Sequence, residues 1–337
     1  MKLRTELAVK INKSGSIKLD EFMSLVIPYY YQNANPFGKN GDFITAPEIS
    51  QMFGEIIAVW AADIWMKNDC PEFNIIELGP GKGTLTTDLL RGSKSFKNFH
   101  QSIKHITLIE SSQSLREIQA KNLIAYRDKL QWFNHLNDVS TNTFTIIIAN
   151  EFLDALPIKQ FVKRSDGFHE IEIGLNADEK FDFIESATAS ELSIDCNDGD
   201  IVEISEASLT YADSISSLLK QNGGTLLCID YGYLYPSMKS TLQAVKNHCY
   251  HPVLEDIGEA DITSLVDFAK LKNRFIKNSL HAVTLTQREF LLHYGILERA
   301  KMLAHASGDN EKITSELSRL TDVKEMGELF KVLIAYC

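Results

Sequence analysis

Cysteine is scarce in this 337-residue chain, and its five cysteines are widely spaced, with no CxxC pair among them. An odd number of scattered thiols argues against a disulfide framework or a zinc knuckle, and it is typical of a reducing compartment. The densest cluster of possible metal ligands is His248-Cys249-Tyr250-His251, which lacks two further ligands at usable spacing. The sequence therefore predicts free thiols and no metal site.

Long hydrophobic runs are also missing. No window approaches eighteen uninterrupted apolar residues, and we therefore expect no transmembrane helix. Residues 1–22 contain acidic side chains and no long apolar stretch, unlike a secretory signal or an arginine- and serine-rich transit peptide. Together with the cysteine pattern, these absences predict a cytoplasmic protein.

An excess of basic residues, which marks most general nucleic-acid binders, is absent as well. Lysine and arginine total 34 against 45 aspartates and glutamates, which gives a formal net charge of −11. A basic partner such as an arginine-containing protein segment suits an acidic surface, although many proteins are acidic for solubility alone. We expect a protein partner, with no nucleic acid and no membrane span.

Short apolar runs alternate with amphipathic stretches between residues 73 and 150, and the chain has no internal repeat. Strand, helix, strand, helix at this spacing predicts βαβ units and a parallel sheet, which places the chain in the α/β class with a Rossmann-like sheet. The predicted strands are 73–78, 105–110, 130–133, 144–150, 223–233 and 329–336, and the first two helices of the sheet are 83–92 and 112–123.

Two segments fall outside this pattern. Residues 1–70 precede the sheet and are predicted to form a helical extension that carries a lid for the ligand. About seventy residues separate the fourth and fifth strands, which is more than one connecting helix needs. A β-rich insertion is therefore expected at approximately 160–205, within a sheet domain that spans residues 71–337.

The N-terminal extension contains a strong helix signal over residues 44–65. Thr45 and Glu48 have the spacing of a capping box, Pro47 lies in the first turn, and apolar residues recur on one face. The capping box accounts for Glu48 without any ligand. The preceding segment, 35–43, is rich in turn-forming residues and is predicted to be a loop.

Three glycines at alternate positions, Gly79, Gly81 and Gly83, follow the first predicted strand directly. A P-loop is excluded because its first glycine is missing and no serine or threonine follows Gly81-Lys82. A dinucleotide-binding turn needs GxGxxG, and Thr84 in the third glycine position counts against NAD without excluding it. We favour the remaining alternative, the GxGxG turn that contacts S-adenosyl-L-methionine (SAM) in Rossmann-like methyltransferases.

The chemistry of SAM explains this preference. SAM carries an amino acid moiety, a ribose and an adenine but no phosphate, and glycines let the turn approach without a Cβ in the way. Glu77 ends the first strand, where its carboxylate is placed to hold the ammonium group directly or through water. Glu110 ends the second strand, where it is placed to accept from both ribose hydroxyls. The alternatives are that the three glycines form a plain tight turn and that Glu110 is a solvated strand end.

Two longer blocks, GDFITAPEISQMFGE at 41–55 and NEFLDALP at 150–157, are more specific than the glycine turn. They resemble the MidA-like SAM-dependent methyltransferases, and the likeness runs from about residue 20 to 335. The resemblance implies a class I methyltransferase fold, SAM as donor and a protein arginine as acceptor. A mitochondrial relative is a complex I assembly factor, so the resemblance also suggests a respiratory-complex subunit as partner. Further matching blocks are 76–83, 230–232, 241–245, 260–268, 286–296 and 326–335.

With arginine as the implied acceptor, the residues after the fourth strand are the candidates for catalysis. A guanidinium is a poor nucleophile with a pKa above about 12, and carboxylates help by gripping it and stabilising its charge as the proton leaves. We assign Glu151 to the acceptor guanidinium, Asp154 to a supporting role, and Asn150 to SAM or its loop. The alternatives are that Glu151 pairs with a surface cation and that Asp154 caps a turn.

The loop before the N-terminal helix, residues 37–43, is predicted to close over SAM as a lid, with Asp42 and Phe43 reaching the cofactor. The leading hypothesis is therefore a protein arginine methyltransferase. The alternatives are a SAM-binding assembly factor or chaperone with little or no catalysis, a small-molecule methyltransferase and a nicotinamide oxidoreductase, which the glycine spacing disfavours.

Overall fold

The computed structural model describes residues 2–33, 45–235 and 237–337. The chain divides into two compact units, and each of them is assembled from three stretches that are far apart in sequence. The first unit comprises residues 1–43, 154–210 and 235–265, and the second comprises residues 44–153, 211–234 and 266–337.

The secondary structure of the described residues is given in chain order. The helices are α1 Lys2–Ser14, α2 Leu19–Asn33, α3 Ala46–Ile49, α4 Gln51–Lys67, α5 Thr84–Ser93, α6 Lys97–Gln101, α7 Gln113–Asn122, α8 Glu206–Asn222, α9 Phe268–Lys277, α10 Gln287–His293, α11 Ile296–Ser307, α12 Asn310–Thr321 and α13 Met326–Leu329. The strands are β1 Ile17–Lys18, β2 Phe73–Leu78, β3 Ile103–Ile109, β4 Leu130–Phe133, β5 Phe144–Asn150, β6 Lys159–Arg164, β7 Gly167–Leu175, β8 Phe181–Glu185, β9 Ile201–Ile204, β10 Gly224–Tyr233, β11 Gln243–Lys246, β12 Cys249–His251, β13 Asp261–Thr263, β14 Val266–Asp267, β15 His281–Thr286 and β16 Phe330–Tyr336.

One sheet forms the centre of the second unit, with the strand order β15-β16-β10-β5-β2-β3-β4. The five strands from β10 to β4 run parallel, whereas β16 and β15 are antiparallel. β2 and β5 are apolar along most of their length and almost wholly buried, as expected for parallel strands that are covered on both faces. The predicted α/β class is confirmed.

The register brings the carboxyl ends of the parallel strands to one edge of the sheet, where β10 continues past the end of β5 to Tyr233. Leu78, the last residue of β2, lies opposite Ile109 of β3 and Ala149 of β5, while Asn150 lies opposite Ile229 of β10. The segments that follow these four strands therefore start from one edge of the sheet. Open α/β sheets bind their ligands at this edge.

The six strands predicted for the sheet are present as β2, β3, β4, β5, β10 and β16. The sheet is not wholly parallel, however, because β16 returns antiparallel to β10 and pairs with β15. The sequence analysis missed β15. This edge strand has no fully buried residue, so it lacks the continuous apolar run that identified the central strands.

The prediction of one helix over residues 44–65 is wrong. The chain forms two helices there, because Ser50 is extended (φ −155°) and its side chain accepts from the Met52 N–H to cap α4. The capping box is also absent, since Thr45 precedes α3 without a side-chain capping bond. The Glu48 carboxylate accepts from the Thr84 hydroxyl instead, a partner far away in sequence.

The close approach of α4 to α5 depends on a glycine and a buried charge. A Cβ on Gly54 would lie 2.6 Å from the Cβ of Asp88, which is too close for any real side chain. Glu55 is buried beside this contact and accepts from Arg299 at 2.7 Å and Arg91 at 3.1 Å. These pairs join α4, α5 and α11 and compensate the buried carboxylate.

The first unit contains two smaller sheets. One has the order β1-β7-β6-β9 with β8 paired to β7, and the other has the order β12-β11-β13. All of these pairs are antiparallel. The core of this unit lies under α1 and α2, where Leu7, Ile11, Phe22 and Met23 are buried.

The predicted β-rich insertion between the fourth and fifth sheet strands is confirmed as β6 to β9. The units nevertheless divide the chain differently from the predicted domains. Residues 44–70, which were assigned to the N-terminal extension, belong to the second unit, and residues 154–210 join residues 1–43 in the first. Contacts distant in sequence create this division, and local patterns carry little information about them.

Within the described residues, no helix is long and apolar enough to cross a membrane. Across the same part of the chain, no group of three or more His, Cys, Asp or Glu side chains is placed to bind a metal ion. None of the five cysteines, all of which the structure describes, forms a disulfide.

Replacement of Gly54 by valine should lower the free energy of unfolding by about 1–3 kcal/mol, because the added carbons collide with α5. The loss should appear even though valine favours helix more than glycine does. Met66→Val, on the same helix at a position that is 55% exposed, is the matched control and should change stability little. Chemical denaturation measures both, and equal midpoints for the two variants would contradict this packing.

Candidate functional site

The glycine turn joins β2 to α5 at the shared edge of the sheet. Gly79, Gly81 and Gly83 have φ angles of 60°, 51° and 78°, in the left-handed region that residues with a Cβ rarely adopt. Gly83 is the N-cap of α5, and its N–H donates to the Pro80 carbonyl at 2.7 Å. The backbone path of the turn therefore needs glycine at all three positions.

Gly79 is also constrained by a neighbouring side chain. A Cβ on Gly79 would lie 2.7 Å from the ring of Phe152. This ring packs edge-on against Tyr211, with 5.0 Å between the ring centroids. Phe152 thus covers the first glycine of the turn, a contact that the sequence analysis missed because it joins two loops distant in sequence.

Glu77 lies in β2 just before the turn and is only 3% exposed. Its carboxylate accepts a hydrogen bond from the hydroxyl of Thr86, in the first turn of α5. Burial raises the pKa of Glu77 to about 7, although the bonds from Thr86 oppose the rise. Glu77 therefore helps to anchor α5 on the sheet, and its predicted contact with the SAM ammonium group stays a prediction.

Glu110 follows β3 directly and is partly buried. One carboxylate oxygen accepts from the Ser112 N–H at 2.7 Å, and the other accepts from the Gln119 side-chain amide at 3.3 Å. Burial raises the pKa of Glu110, and these hydrogen bonds oppose the rise. The carboxylate is thus fixed at the end of the strand next to β2, where dinucleotide folds place the acid that binds ribose.

Asn150 ends β5 and is 8% exposed. Its Nδ2 donates to Glu151 Oε1 at 3.2 Å, and this bond fixes the direction of the amide because a carboxylate only accepts. Asn150 Oδ1 is then buried without a hydrogen-bond partner among the described residues. Leaving such an oxygen unpaired is costly, so this atom suits a ligand that carries a donor group.

Glu151 has a φ of 48°, which is unusual for a residue other than glycine, and strain of this kind collects at functional sites. Its N–H donates to the Ile229 carbonyl at 2.9 Å. Its Oε1 accepts from the Ala46 N–H at 2.8 Å. The side chain therefore ties the start of α3 to the end of β5.

Glu48 holds the same short helix to the glycine turn. Its Oε1 accepts from the Thr84 hydroxyl at 2.9 Å, and its Oε2 lies 3.9 Å from Lys82 Nζ. The capping-box spacing of Glu48 did not reveal its place beside the turn. The deciding contacts span 34 and 36 residues of sequence, beyond the reach of a local motif.

Asp230, near the end of β10, was not among the predicted site residues, although its side chain is fully buried. Its Oδ2 accepts from the N–H groups of Phe152 at 3.1 Å and Leu153 at 2.9 Å. These bonds hold the segment that follows β5. An aspartate in the last part of an otherwise apolar strand was the available signal, since a buried charge needs partners.

Three predicted site residues are not among the described residues of the second unit. Asp154 belongs to the first unit, where its Oδ1 accepts from the Ala155 N–H at 2.9 Å and its carbonyl accepts from the Ser264 N–H at 3.0 Å. These are contacts of a turn residue, and its supporting role in catalysis stays a prediction. Asp42 and Phe43 fall outside the described residues, together with the proposed lid.

Comparison with known families decides between the ligands considered for the glycine turn. Residues 56–286 match a family described as "Putative S-adenosyl-L-methionine-dependent methyltransferase". The chain belongs to this methyltransferase family. SAM is therefore the cofactor, and the predicted enzyme class is confirmed.

Curated relatives support the same assignment over nearly the full chain. The mitochondrial protein arginine methyltransferase NDUFAF7 of Xenopus tropicalis is 32% identical over 364 residues, which cover 98% of this chain and 84% of the relative. The human protein of the same name is 31% identical, and the match covers 96% of this chain and 81% of that protein. The family resemblance found in the sequence is confirmed.

The predicted cytoplasmic location is contradicted by these relatives, which are named as mitochondrial proteins. The prediction depended on absences, namely a missing disulfide pattern and a missing leader-like composition. A mitochondrial matrix is also a reducing compartment, so free thiols do not distinguish it from the cytoplasm.

Solved structures confirm the fold. A protein of Burkholderia thailandensis, crystallised with S-adenosyl-homocysteine, superimposes with a TM-score of 0.86 and 21% identity, covering 100% of this chain and 92% of that one. A second structure from the same organism gives a TM-score of 0.85 at 23% identity. The class I methyltransferase fold inferred from the resemblance is therefore present here.

The residues of the site fit SAM. The turn of Gly79, Gly81 and Gly83 keeps side chains away from the end of β2, and Asn150 Oδ1, which has no partner among the described residues, suits an ammonium or hydroxyl donor. Glu110 adds a carboxylate at the end of β3, and it accepts hydrogen bonds from donors such as ribose hydroxyls.

Replacement of Glu77 by glutamine should make stability less dependent on pH. The pKa of Glu77 is raised from its ordinary value of 4.5 to about 7 in the folded protein, so the folded state holds this proton more tightly than the unfolded state. The resulting stability is fully present below pH 4.5 and is lost as the pH rises through 7. Glutamine keeps an oxygen for the Thr86 hydroxyl and has no charge to bury. As the pH rises from 4.5 to 7, the free energy of unfolding of the variant should therefore increase relative to that of wild type by up to about 3 kcal/mol. Thermal unfolding measures this difference.

The matched control is Glu117→Gln, which removes an exposed carboxylate from α7. The raised pKa of Asp88, about 6 because of burial, affects the wild type and both variants alike and therefore cancels in the difference. A gap between Glu77→Gln and wild type that stays constant from pH 5 to pH 8 would contradict the burial of an ionisable Glu77.

Proposed function

We propose that the protein is an arginine methyltransferase that transfers a methyl group from SAM to a guanidinium nitrogen of a protein. The observation that carries the proposal is the near full-length likeness, at 31–32% identity, to proteins named protein arginine methyltransferase. The match extends over the glycine turn and over the segment after β5 that carries Glu151.

On the donor side, the roles are distributed around the shared edge of the sheet. The glycine turn takes the amino acid moiety, Glu110 accepts from the ribose hydroxyls, and Asn150 Oδ1 accepts from the ammonium group together with Glu77. Bound SAM supplies a methyl group made electrophilic by a positively charged sulfur. The residues hold this donor in one orientation, which is the main requirement of an in-line transfer.

On the acceptor side, Glu151 is the residue we assign to the guanidinium. A carboxylate stabilises the positive charge of the arginine and directs its planar fork. The strained backbone of Glu151 and its bonds to Ala46 and Asn150 restrict the carboxylate, so that less conformational freedom is lost when an arginine binds. Asp154 has the proposed supporting role.

The proposed acceptor is a protein, and the resemblance suggests a subunit of a respiratory complex. The acidic composition, with a net charge of −11, suits an arginine-containing segment because opposite charges increase the rate of encounter. The assembly-factor alternative has the same cofactor site, and the two differ in whether methyl groups reach a protein.

Gly81→Val should abolish binding of S-adenosyl-homocysteine. Valine disfavours the left-handed conformation that Gly81 adopts at φ 51°, and its branched side chain occupies space beside the cofactor turn. Calorimetric titration of wild type and variant with S-adenosyl-homocysteine and NAD measures the effect. Wild type should bind only S-adenosyl-homocysteine, and the variant should bind neither.

The matched control is Gly308→Val, a substitution at an exposed turn residue. Gly308 also has a positive φ, of 72°, and a Cβ there meets no atom within 4 Å. This variant should carry a similar backbone strain and still bind S-adenosyl-homocysteine. Normal affinity in Gly81→Val would contradict the assigned site, whereas binding of NAD by wild type would contradict the cofactor.

Glu151→Gln should lower arginine methylation about 100-fold or more, because it removes the charge that grips the guanidinium. Glutamine keeps an oxygen for the Ala46 N–H, so the site should remain intact. Labelled SAM is incubated with each enzyme and a heat-treated protein extract, and methylarginines are counted after hydrolysis. S-adenosyl-homocysteine affinity should stay close to that of wild type.

The possible outcomes separate the two proposals for function. Methylarginine formed equally by wild type and Glu151→Gln would contradict the role of Glu151 but not arginine methylation. Tight S-adenosyl-homocysteine binding without any methylarginine would favour the assembly factor. Label recovered in lysine or in small molecules would contradict the proposed acceptor.

A further inference from the structure

Gln119 is a buried polar residue that contacts two separate parts of the cofactor site. It lies on α7 and is 0% exposed. Its Nε2 donates to the Gly81 carbonyl at 2.7 Å and to Glu110 Oε2 at 3.3 Å. One side chain thus bonds the middle glycine of the turn after β2 and the carboxylate that follows β3.

The direction of the Gln119 amide is determined by Trp132 of β4. The indole N–H of Trp132 only donates, and it lies 2.9 Å from Gln119 Oε1. The oxygen of the amide must therefore face Trp132, which leaves both N–H bonds of Nε2 for Gly81 and Glu110. Each polar atom of the amide has a partner, and such satisfied buried networks fix a single arrangement.

The bond to Gly81 orients the turn as well as holding it. A trans peptide carries its N–H opposite to its C=O, so fixing the Gly81 carbonyl also fixes the direction of the Lys82 N–H. One turn of helix further on, the exposed Asn122 donates from Nδ2 to the Lys82 carbonyl at 2.9 Å. Within the described part of the chain Asn122 forms no hydrogen bond with Glu110, which makes it a matched comparison for Gln119.

We propose that Gln119 is a positioning residue that couples the glycine turn to Glu110, so that the amino acid and ribose ends of SAM are bound by one connected unit. The proposal depends on the proposed role of Glu110 toward the ribose. It does not depend on the identity of the methyl acceptor. Without Gln119 the Gly79 N–H still donates to the Ile109 carbonyl at 3.1 Å, but the Gly81 carbonyl and the Glu110 carboxylate lose the donor that they share.

Loss of Gln119 also changes the electrostatic surroundings of Glu110. The amide N–H stabilises the ionised carboxylate, as do the Ser112 N–H and the positive charge of Arg116, whose Nε donates to the Glu110 carbonyl at 2.8 Å. An ionised Glu110 is the form that accepts two hydroxyl donors. Affinity for the ribose should therefore fall as pH drops through the Glu110 pKa, and removing one stabilising donor moves that fall to higher pH.

The test compares wild type, Gln119→Met and Asn122→Ala by titration with S-adenosyl-homocysteine from pH 5 to pH 8. Methionine matches the length of glutamine but offers no N–H. Gln119→Met should bind about tenfold more weakly at pH 8, from the loss of two hydrogen bonds. The pH at which its affinity falls should also lie above that of wild type.

Asn122→Ala should weaken binding less, and its pH profile should coincide with that of wild type because Glu110 is untouched. A merely structural role for Gln119 would lower affinity without moving the pH profile. Thermal unfolding without ligand shows whether each variant is folded. Trp132→Phe provides a second test, since it keeps an aromatic ring but removes the pyrrole part of the indole with the N–H that orients the amide; it should shift the profile in the same direction.

Two failures are distinguishable. If Glu110→Gln binds S-adenosyl-homocysteine with the affinity and pH profile of wild type, the proposed role of Glu110 fails first, because Glu77 titrates alike in both proteins. If wild type behaves as expected and folded Gln119→Met has the affinity and pH profile of wild type, the coupling by Gln119 is overturned.

Discussion

Parallel pairing that brings the carboxyl ends of the strands to one edge is the constraint on which the second unit depends. Because Leu78 lies opposite Ile109 and Ala149, and Asn150 lies opposite Ile229, four chain segments leave the sheet at one edge. Residues far apart in sequence therefore become neighbours without any motif that joins them. The glycine turn, the ribose acid and the candidate catalytic segment all owe their proximity to this register.

Buried acidic groups hold these segments in place. Asp230 accepts from two backbone N–H groups after β5, Glu77 accepts from the first turn of α5, and Glu110 accepts from Ser112 and Gln119. A buried carboxylate without partners would cost several kcal/mol, so each of these bonds strongly favours one local arrangement. The site is consequently organised before any ligand binds, which lowers the entropy lost on binding.

The sequence was most informative where local chemistry determines the outcome. Alternate glycines after an apolar strand indicated the turn, and the positive φ at Gly79, Gly81 and Gly83 explains why glycine suits these positions. It was least informative where distant contacts compete with local ones. Glu48 has capping-box spacing but bonds to Thr84, and β15 is too exposed to show an apolar run. Gln119 lies in no motif, and Asp230, although part of a block shared with the family, gave no sign of its partners, since only the folded sheet brings these residues to them.

The central claim is that the glycine turn, Glu110 and Asn150 together form the site for SAM. A crystal structure of the protein with S-adenosyl-homocysteine tests it most directly. The account predicts ribose hydroxyls within hydrogen-bond distance of the Glu110 carboxylate, the amino acid moiety against Gly79 to Gly83, and a ligand donor on Asn150 Oδ1. A ligand bound elsewhere, or bound here with its ribose away from Glu110, would contradict it.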